Sequence, residues 1–278
     1  MKKQELKSLL VGNGININFG GKAYSNQFII KRIIFNARAG KYDPLFNGKM
    51  SGEQIEETFL NLAEWANAIS RGECDSVVTD EELPLLEDFK RRYSKKVEHY
   101  YDVGLEDWLF ILHIFFLKND DLKNIWRPVK YSFEQMMLDA IYNDGDIQKI
   151  YLSMGKPVKR WLEQYDEIFT LNYDNNVESL IKKPVFHLHG DYSTPANSEN
   201  PNTILGYQRT EAHQTVVVPG FEHCYCNALF DYRGENKLQV ADGFERGKES
   251  VKRLSDSGVP ASVFPAPAAG LVQTHREH

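Results

Sequence analysis

The sequence predicts an α/β fold of three layers, in which a parallel sheet lies between helices and a large helical segment is inserted. Apolar runs predict the strands: Ser8–Val11 opens into a glycine turn, and Glu167–Leu171 is followed by Val185–His189. Between them, over residues 45–165, apolar residues recur at helical spacing and strand-like alternation is scarce. This combination is typical of a Rossmann-like parallel sheet with a helical insertion.

The N-terminal element is predicted to be a buried strand, Ser8–Val11, which Gly12-Asn-Gly14 ends. A second break follows at Gly20-Gly21, and a helical pattern runs from about Ser25 to Ala37. A strand, a glycine turn and a helix in this order allow backbone N–H groups and a helix end to face an anion. The turn is therefore a candidate nucleotide-binding turn, with an ordinary tight turn as the alternative.

The middle of the chain is predicted to be helical. Ser51-Gly-Glu-Gln54 is a capping-box pattern, and a second one, Ser132-Phe-Glu-Gln135, is predicted to open a later helix. Another helix is predicted over about 81–101, and the apolar run Leu105–Leu117 should be buried, with His113 as a core histidine. The helix after the first capping box carries one apolar stripe, formed by Ile55, Phe59, Leu62, Ala66 and Ile69.

The α/β pattern returns after the helical block. A helix over about Val158–Tyr165 precedes the strand Glu167–Leu171, and a polar turn then leads into a helix that ends near Ile181. The strand Val185–His189 follows. A strand, helix and strand in succession form a right-handed crossover, which places Asn172 at the carboxyl end of its strand. Ligands of open α/β sheets bind at this edge.

Two groups of polar residues at these strand ends are candidate site residues. Asn172 can orient a water molecule or a ribose hydroxyl, and Asp174 can hold a carboxamide or stabilise positive charge; a simple Asx helix cap is the alternative for both. His189 can accept a proton near neutral pH, and Gly190 after it leaves room for a substrate. A histidine that only caps a strand is the alternative. In a strand, His187 would share the face of His189, and we expect it to be structural.

Composition excludes several classes of function. The net charge of −6 and a pI near 5.8 disfavour direct nucleic-acid binding, which needs clustered Lys and Arg. No apolar run is long enough for a membrane span or a signal segment, so we expect a cytoplasmic protein. The P-loop, Gly-x-Ser-x-Gly and His-Glu-x-x-His motifs are missing from the sequence, which leaves nucleoside triphosphatase, esterase and zincin activities unsupported.

The cysteines support neither a disulfide framework nor a metal site. Cys74, Cys224 and Cys226 are the only cysteines, which favours a reducing compartment. His223-Cys-Tyr-Cys226 offers at most three zinc ligands at cramped spacing and has no second half. A buried helix over about His223–Asp231 is the preferred interpretation, and no metal is expected.

Taken together, three motifs resemble those of the sirtuin family. They are Gly12-Asn-Gly-Ile-Asn16, Thr170-Leu-Asn-Tyr-Asp174 and Leu188-His-Gly190. The corresponding sirtuin motifs are a Gly-Ala-Gly-x-Ser turn, Thr-Gln-Asn-Ile-Asp and Leu-His-Gly. More narrowly, the chain is similar to the bacterial sirtuin-like NAD hydrolases of antiphage defence, which are related to abortive-infection proteins.

The resemblance implies a substrate and a role for each motif. NAD would be cleaved at its nicotinamide–ribose bond to give nicotinamide and ADP-ribose. His189 would be the general base, Asn172 would order the ribose or the attacking water, and Asp174 would hold the nicotinamide end. The first turn would bind the dinucleotide through Gly12, Asn13, Gly14, Ile15 and Asn16.

Two departures from the sirtuin pattern bear on this expectation. Deacylating sirtuins carry a zinc module with two Cys-x-x-Cys pairs, which three cysteines cannot form. This favours water over acetyl-lysine as the acceptor, with a deacylase or a non-catalytic NAD or ADP-ribose sensor as the alternatives. The late strand that embraces adenosine in the family is not evident. Leu238–Phe244 is the candidate remnant; a truncated chain or a partner that completes the pocket are the alternatives.

The resemblance also bears on organisation and partners. Residues 1–278 would form a single sirtuin-like domain with the insertion at 45–165, and 257–278 would be an atypical or poorly ordered end. Such defence proteins are held inactive until triggered. We therefore expect a homo-oligomer, a sensor partner or both, with the helical block as the interaction surface.

Overall fold

A computed structural model describes most of the chain, over residues 6–80, 82–196 and 217–228. Two predicted segments lie outside the described residues: the candidate late strand Leu238–Phe244 and the C-terminal end 257–278.

The chain divides into two compact units. The helical unit comprises Asn13–Gly155 and Val218–Cys224. The sheet unit comprises Met1–Gly12, Lys156–Val217 and Tyr225–His278. Each unit has its own buried residues and its own polar network, and the two are described separately below.

Most of the described residues are helical. In chain order the α-helices are α1 (Gly14–Gly20), α2 (Asn26–Arg38), α3 (Gly52–Ser70), α4 (Leu83–Arg92), α5 (Asp107–Lys118), α6 (Trp126–Tyr142), α7 (Lys156–Leu162) and α8 (Asn176–Ile181). Short 3-10 turns connect several of them. None of the described helices combines the length and the apolar character that a bilayer crossing requires.

The sheet unit contains a small parallel sheet of three strands, in the order β1 (Ser8–Val11), β2 (Glu167–Thr170) and β3 (Phe186–His187). Both strand pairs are parallel. The helix α8 lies in the connection between β2 and β3, as the sequence predicts. The α/β class is therefore confirmed, with a sheet that is small beside the helical part.

The two faces of the sheet differ in exposure. Thr170 and His187 share one face, where Thr170 is buried and the His187 ring reaches Glu178 of α8. On the opposite face Leu10 is 59% exposed and Phe186 is 50% exposed. The prediction that β1 is buried is therefore wrong for this face. Side chains alternate along a strand, so one strand can be covered on one side and open on the other.

The core of the helical unit follows the predicted apolar stripe of α3. Ser51 and Gln54 form a reciprocal capping box at its start, as predicted. The five stripe residues of α3 are all buried. Phe59 packs edge-on against Trp108 of α5, with ring centroids 4.8 Å apart. Helices α2, α3 and α5 therefore share one hydrophobic core, because each turns an apolar stripe inward.

The second predicted capping box is wrong. Ser132 lies within α6, which begins at Trp126, and the Ser132 hydroxyl donates to the carbonyls of Pro128 and Leu45. Pro128 lies in the first turn of the helix, where a backbone N–H has no intrahelical partner, so it fits there without cost. A proline near a helix start was the signal that marked the true boundary.

The predicted helix over 81–101 is too long. Helix α4 ends at Arg92, and the chain then becomes irregular until a 3-10 turn at Tyr100–Asp102. Within this irregular stretch, the backbone of Val97 pairs with the side chain of Asn67 on α3. The hydrogen bonds between the Val97 backbone and the buried Asn67 amide take the place of helical hydrogen bonds in this stretch.

A buried carboxylate organises the C-terminal end of α6. Asp139 accepts hydrogen bonds from Lys41, Tyr42 and His223. Burial alone would raise the pKa of the Asp139 carboxyl, but the bonds from His223 and Lys41 outweigh it and hold the pKa below its usual range. The ring of His223 also stacks on Tyr142, with centroids 4.3 Å apart. The contacts of His223 with Asp139 and Tyr142 hold the segment Val218–Cys224 within the helical unit.

Candidate functional site

The parallel register brings the predicted site residues of the sheet unit to one edge. Thr170 at the end of β2 pairs with His187 at the end of β3. Asn172 and His189 each lie two residues past these strand ends, at the carboxyl edge of the sheet. Gly12 follows the end of β1 at the same edge. This is the position at which open α/β sheets bind ligands.

Asn172 is the most unusual polar group at this edge. Its backbone N–H donates to Thr170 Oγ1 at 3.1 Å, and its backbone carbonyl accepts from His187 Nδ1 at 2.9 Å. The residue as a whole is 8% exposed, and its carboxamide forms no hydrogen bond with any residue in the described ranges. Neither of its amide atoms is among the fully buried atoms that lack a partner. An amide without a protein partner can serve a ligand.

Asp174 has a clear structural use. Its Oδ1 accepts from the backbone N–H of Asn176 at 3.1 Å and from the Asn176 side chain at 2.6 Å. The carboxylate therefore takes up the first backbone N–H of α8, as an Asx turn does. The capping alternative is realised at Asp174. Its role at the nicotinamide end stays a prediction.

His189 is buried at the same edge, but the strand argument for its orientation is wrong. Strand β3 ends at His187, and His189 lies in the turn that follows. Gly190 has φ +80°, and a Cβ there would lie 2.3 Å from the backbone oxygen of Asn227. Glycine is therefore required by packing against the Asn227 backbone, and the prediction that it leaves room for a substrate beside His189 stays a prediction.

Asp191 is a residue that the sequence argument missed. It is buried, and its carboxylate accepts from the backbone N–H groups of Ser193 and Thr194 and from the Thr194 hydroxyl. Its own N–H donates to the side chain of Asn227 at 2.7 Å. These bonds fix the turn that carries His189. An aspartate with Ser and Thr two and three residues later is a recognisable signal for such a turn.

The second missed feature is the contact between Glu178 and His187, which the sequence analysis expects to be structural. The His187 Nε2 lies 2.5 Å from Glu178 Oε1, so the ring links α8 to the backbone of Asn172. Burial lowers the pKa of His187, but its bonds to Glu178 and to the Asn172 carbonyl outweigh this and raise it. The spacing of these residues in the sequence does not predict this contact, because the contact depends on the geometry of the crossover.

The predicted phosphate turn is divided between the two units. Gly12 belongs to the sheet unit, and Asn13, Gly14, Ile15 and Asn16 belong to the helical unit. Helix α1, which the sequence analysis did not predict, begins at Gly14 directly after the turn, and the helix predicted from about Ser25 is present as α2. The binding roles of all five residues stay predictions.

The side chains of this turn have contacts of their own. Asn13 Nδ2 donates to the carbonyl of Tyr24 at 2.8 Å, and Asn16 is buried within α1. A Cβ at Gly14 would meet nothing within 4 Å, and Gly14 does not have a positive φ. Neither crowding nor backbone strain therefore explains this glycine, and open space is left beside the chain there.

The His223–Cys226 segment does not form the predicted helix in its described part. A 3-10 turn covers Glu222–Cys224, and residues 225–228 are not helical; residues 229–231 lie outside the described ranges. His223 is bonded to Asp139, and Cys224 Sγ donates to the carbonyl of Gln135. Burial raises the pKa of the Cys226 thiol to about 12. No cluster of three metal-ligating side chains occurs in the part of the chain that the structure describes.

Asn67 of the helical unit shows what a structural buried amide looks like. It is 4% exposed, its Nδ2 donates to the Val97 carbonyl at 3.1 Å, and its Oδ1 accepts from the Val97 N–H at 2.8 Å. Both ends of its carboxamide are satisfied, unlike those of Asn172.

Comparison of the chain with protein-family models, with curated proteins and with solved structures finds no match.

Proposed function

We propose that the protein is a sirtuin-like NAD hydrolase that cleaves the nicotinamide–ribose bond. One observation carries the proposal: the carboxamide of Asn172, which has no hydrogen-bond partner in the described ranges, lies at the carboxyl edge of the sheet where His189 is also placed. The resemblance of the three motifs supplies the substrate.

The proposed reaction is a hydrolysis at the anomeric carbon. The bond between C1′ and the nicotinamide nitrogen breaks, and its electron pair neutralises the positive charge of the pyridinium. A water oxygen bonds to C1′, and the water proton passes to the imidazole of His189 and then to solvent. The products are nicotinamide, ADP-ribose and a proton. The transition state resembles an oxocarbenium ion, which polar groups fixed in a dry pocket stabilise.

Each motif has a role in this proposal. The carboxamide of Asn172 orients the ribose hydroxyl or the attacking water, and neutral His189 accepts the proton. Asp174 holds the nicotinamide end while its Oδ1 also forms the turn before α8. The backbone of Gly12, Asn13 and Gly14 contacts the phosphates, with Ile15 and Asn16 beside them in sequence.

The proposed architecture is a three-layer, Rossmann-like sandwich. One face of the sheet carries α8, and the other presents a row of apolar side chains, Leu10, Phe169 and Phe186, which the register places side by side. The rings of Phe169 and Phe186 stack with centroids 5.1 Å apart. An apolar row on an open sheet face supports the proposal that a further layer covers it.

We place the activity in antiphage abortive infection, where cytoplasmic NAD is depleted after a trigger. A partner protein or self-association would release the activity, with the helical block as the surface involved. This part of the proposal rests on the resemblance alone.

The test is incubation of the purified protein with NAD, alone and with products of neighbouring genes. Nicotinamide release together with ADP-ribose, followed by mass spectrometry, is the expected result. An acetylated peptide is added in a parallel reaction. Acetyl-ADP-ribose as the main product would establish a deacylase instead. Binding of NAD without consumption, even with the partner present, would establish a sensor.

A further inference from the structure

His187 connects the proposed site to the helix behind it. It is the last residue of β3, and its two ring nitrogens serve different neighbours. Nδ1 lies 2.9 Å from the backbone oxygen of Asn172, and Nε2 lies 2.5 Å from Glu178 Oε1 on α8. One end of the ring therefore faces the site residue, and the other faces the scaffold.

Both partners of this ring are acceptors. A carbonyl oxygen and a carboxylate can each only receive a hydrogen bond, so both ring nitrogens must carry a proton for both bonds to form. Burial disfavours the imidazolium, but Glu178 and Asn172 favour it more, and Asp191 adds a further negative charge nearby, so the pKa of His187 is raised.

Glu178 is held where it can fix the ring. Val177 and Ile181 of the same helix are buried, which anchors α8 in the sheet unit. Glu178 Oε2 is buried and has no hydrogen-bond partner within the described ranges. The carboxylate therefore depends on the His187 cation for its stabilisation, because a buried charge without a partner is costly.

The ring bond completes the support of Asn172. Its N–H is held by Thr170 Oγ1 and its carbonyl by His187, while its carboxamide has no bond to any described residue. The position of that carboxamide is thus set through its backbone. We infer that His187 is a positioning residue, which fixes the Asn172 backbone against α8 so that the Asn172 carboxamide meets the substrate in one geometry. This inference rests on the proposed NAD hydrolysis.

The two ring nitrogens of His187 allow a test that separates the positioning of Asn172 from a general contribution of His187 to stability. In His187→Asn the amide nitrogen replaces Nδ1 and can still donate to the Asn172 carbonyl. In His187→Gln the amide nitrogen replaces Nε2 and can still donate to Glu178. Both variants lose the positive charge. The inference predicts that turnover depends on the first bond more than on the second.

The measurement is kcat and KM for nicotinamide release from NAD. His187→Gln should lower kcat by roughly 10- to 100-fold with little change in KM, since small displacements of a reacting group cost about that much. His187→Asn should retain several-fold more kcat than His187→Gln. The control is the same pair of substitutions at His113, whose Nε2 lies 2.7 Å from Glu82 in the helical unit. Equal kcat losses in the two His187 variants, or losses matched at His113, would overturn the inference.

A second readout does not depend on turnover. In isotope-labelled protein the carboxamide signals of Asn172 should shift or broaden in His187→Gln and stay near their wild-type positions in His187→Asn. Unchanged Asn172 signals in folded His187→Gln would overturn the positioning role, whatever the activity. If wild type releases no nicotinamide while the Asn172 signals respond as expected, the proposed function fails and the positioning of Asn172 stands.

Discussion

Two buried asparagines, one in each unit, differ in what their carboxamides do. Asn67 in the helical unit bonds both of its amide ends to the backbone of Val97. Asn172 in the sheet unit is nearly as buried, but its polar bonds in the described ranges are made by its backbone alone. Asn67 thus contributes to stability, whereas the Asn172 carboxamide has no bond in the described ranges and lies at the carboxyl edge of the sheet.

The difference shows which of the two amides is available to a ligand. Val97 occupies both amide ends of Asn67, whereas those of Asn172 have no partner among the described residues. An amide available at the carboxyl edge of a parallel sheet lies where ligands of open α/β sheets bind.

The largest expected effect is that of His189→Ala. Removal of the proposed general base should lower nicotinamide release by about 100- to 10,000-fold and leave NAD binding in place. Stopped-time assays of nicotinamide, with NAD binding measured by calorimetry, check both parts. His113→Ala, a histidine of the helical unit, is the matched control and should keep wild-type turnover. Full turnover in His189→Ala would remove it from the mechanism.

Asn172→Ala is expected to rank next. Loss of one preorganised polar group should lower turnover by about 100- to 1,000-fold. The free energy of unfolding should not fall, because the carboxamide has no bond among the described residues to lose. Turnover assays and urea denaturation on the same preparation check the two parts. A substantial loss of stability would mark Asn172 as a structural cap.

Asn67→Ala should behave in the opposite way. It leaves the N–H and the carbonyl of Val97 buried without their partner, so the free energy of unfolding should fall by about 2 kcal/mol. Turnover per folded molecule should be retained. The same denaturation and turnover assays apply. Equal phenotypes for the two asparagine variants would break the comparison between the units.

The smallest expected effect is on the pH dependence of Tm, and it involves two histidine–glutamate pairs. The raised pKa of His187 means that its stabilisation is fully present below the ordinary histidine value, about 6.5, and is lost as pH rises through the raised folded value. Glu178→Gln should therefore flatten the fall of Tm with pH above about 6.5. Tm measured across a pH series in wild type and Glu178→Gln checks this, and identical slopes would contradict it.

The pair His113–Glu82 in the helical unit provides the control on the acid side. The hydrogen bond between His113 and Glu82 lowers the pKa of Glu82 to about 2. That stabilisation is present above the ordinary Glu pKa, about 4.3, and is lost as pH falls toward the folded value. Glu82→Gln should therefore change the acid limb of the same Tm series.

Local signals predicted much of the fold. The capping box at Ser51, the apolar stripe of α3, helix α2 and the order of β2, α8 and β3 all follow from spacing and turn chemistry. The prediction failed where tertiary contacts decide. Helix α1 has a weakly helical sequence, and Gly20 at its end approaches the side chains of Tyr24 and Ile150 so closely that a Cβ there would force them to shift. Packing, rather than propensity, stabilises this element.

The candidate site was predicted in part for the same reason. The end of a strand can be read from the sequence, so Asn172 and His189 could be assigned to one edge. The bridge from His187 to Glu178 and the packing of Gly190 on Asn227 could not, because they depend on which strand neighbours which and how the turn folds back. Such contacts join residues that share no sequence spacing.

The most direct test of the central claim is an NAD titration of isotope-labelled His189→Ala protein, in which the substrate should persist. The carboxamide signals of Asn172 should shift in a saturable way, while those of Asn67 remain in place. Saturating NAD that leaves the Asn172 carboxamide unperturbed would contradict the assignment of this edge of the sheet as the site of NAD hydrolysis.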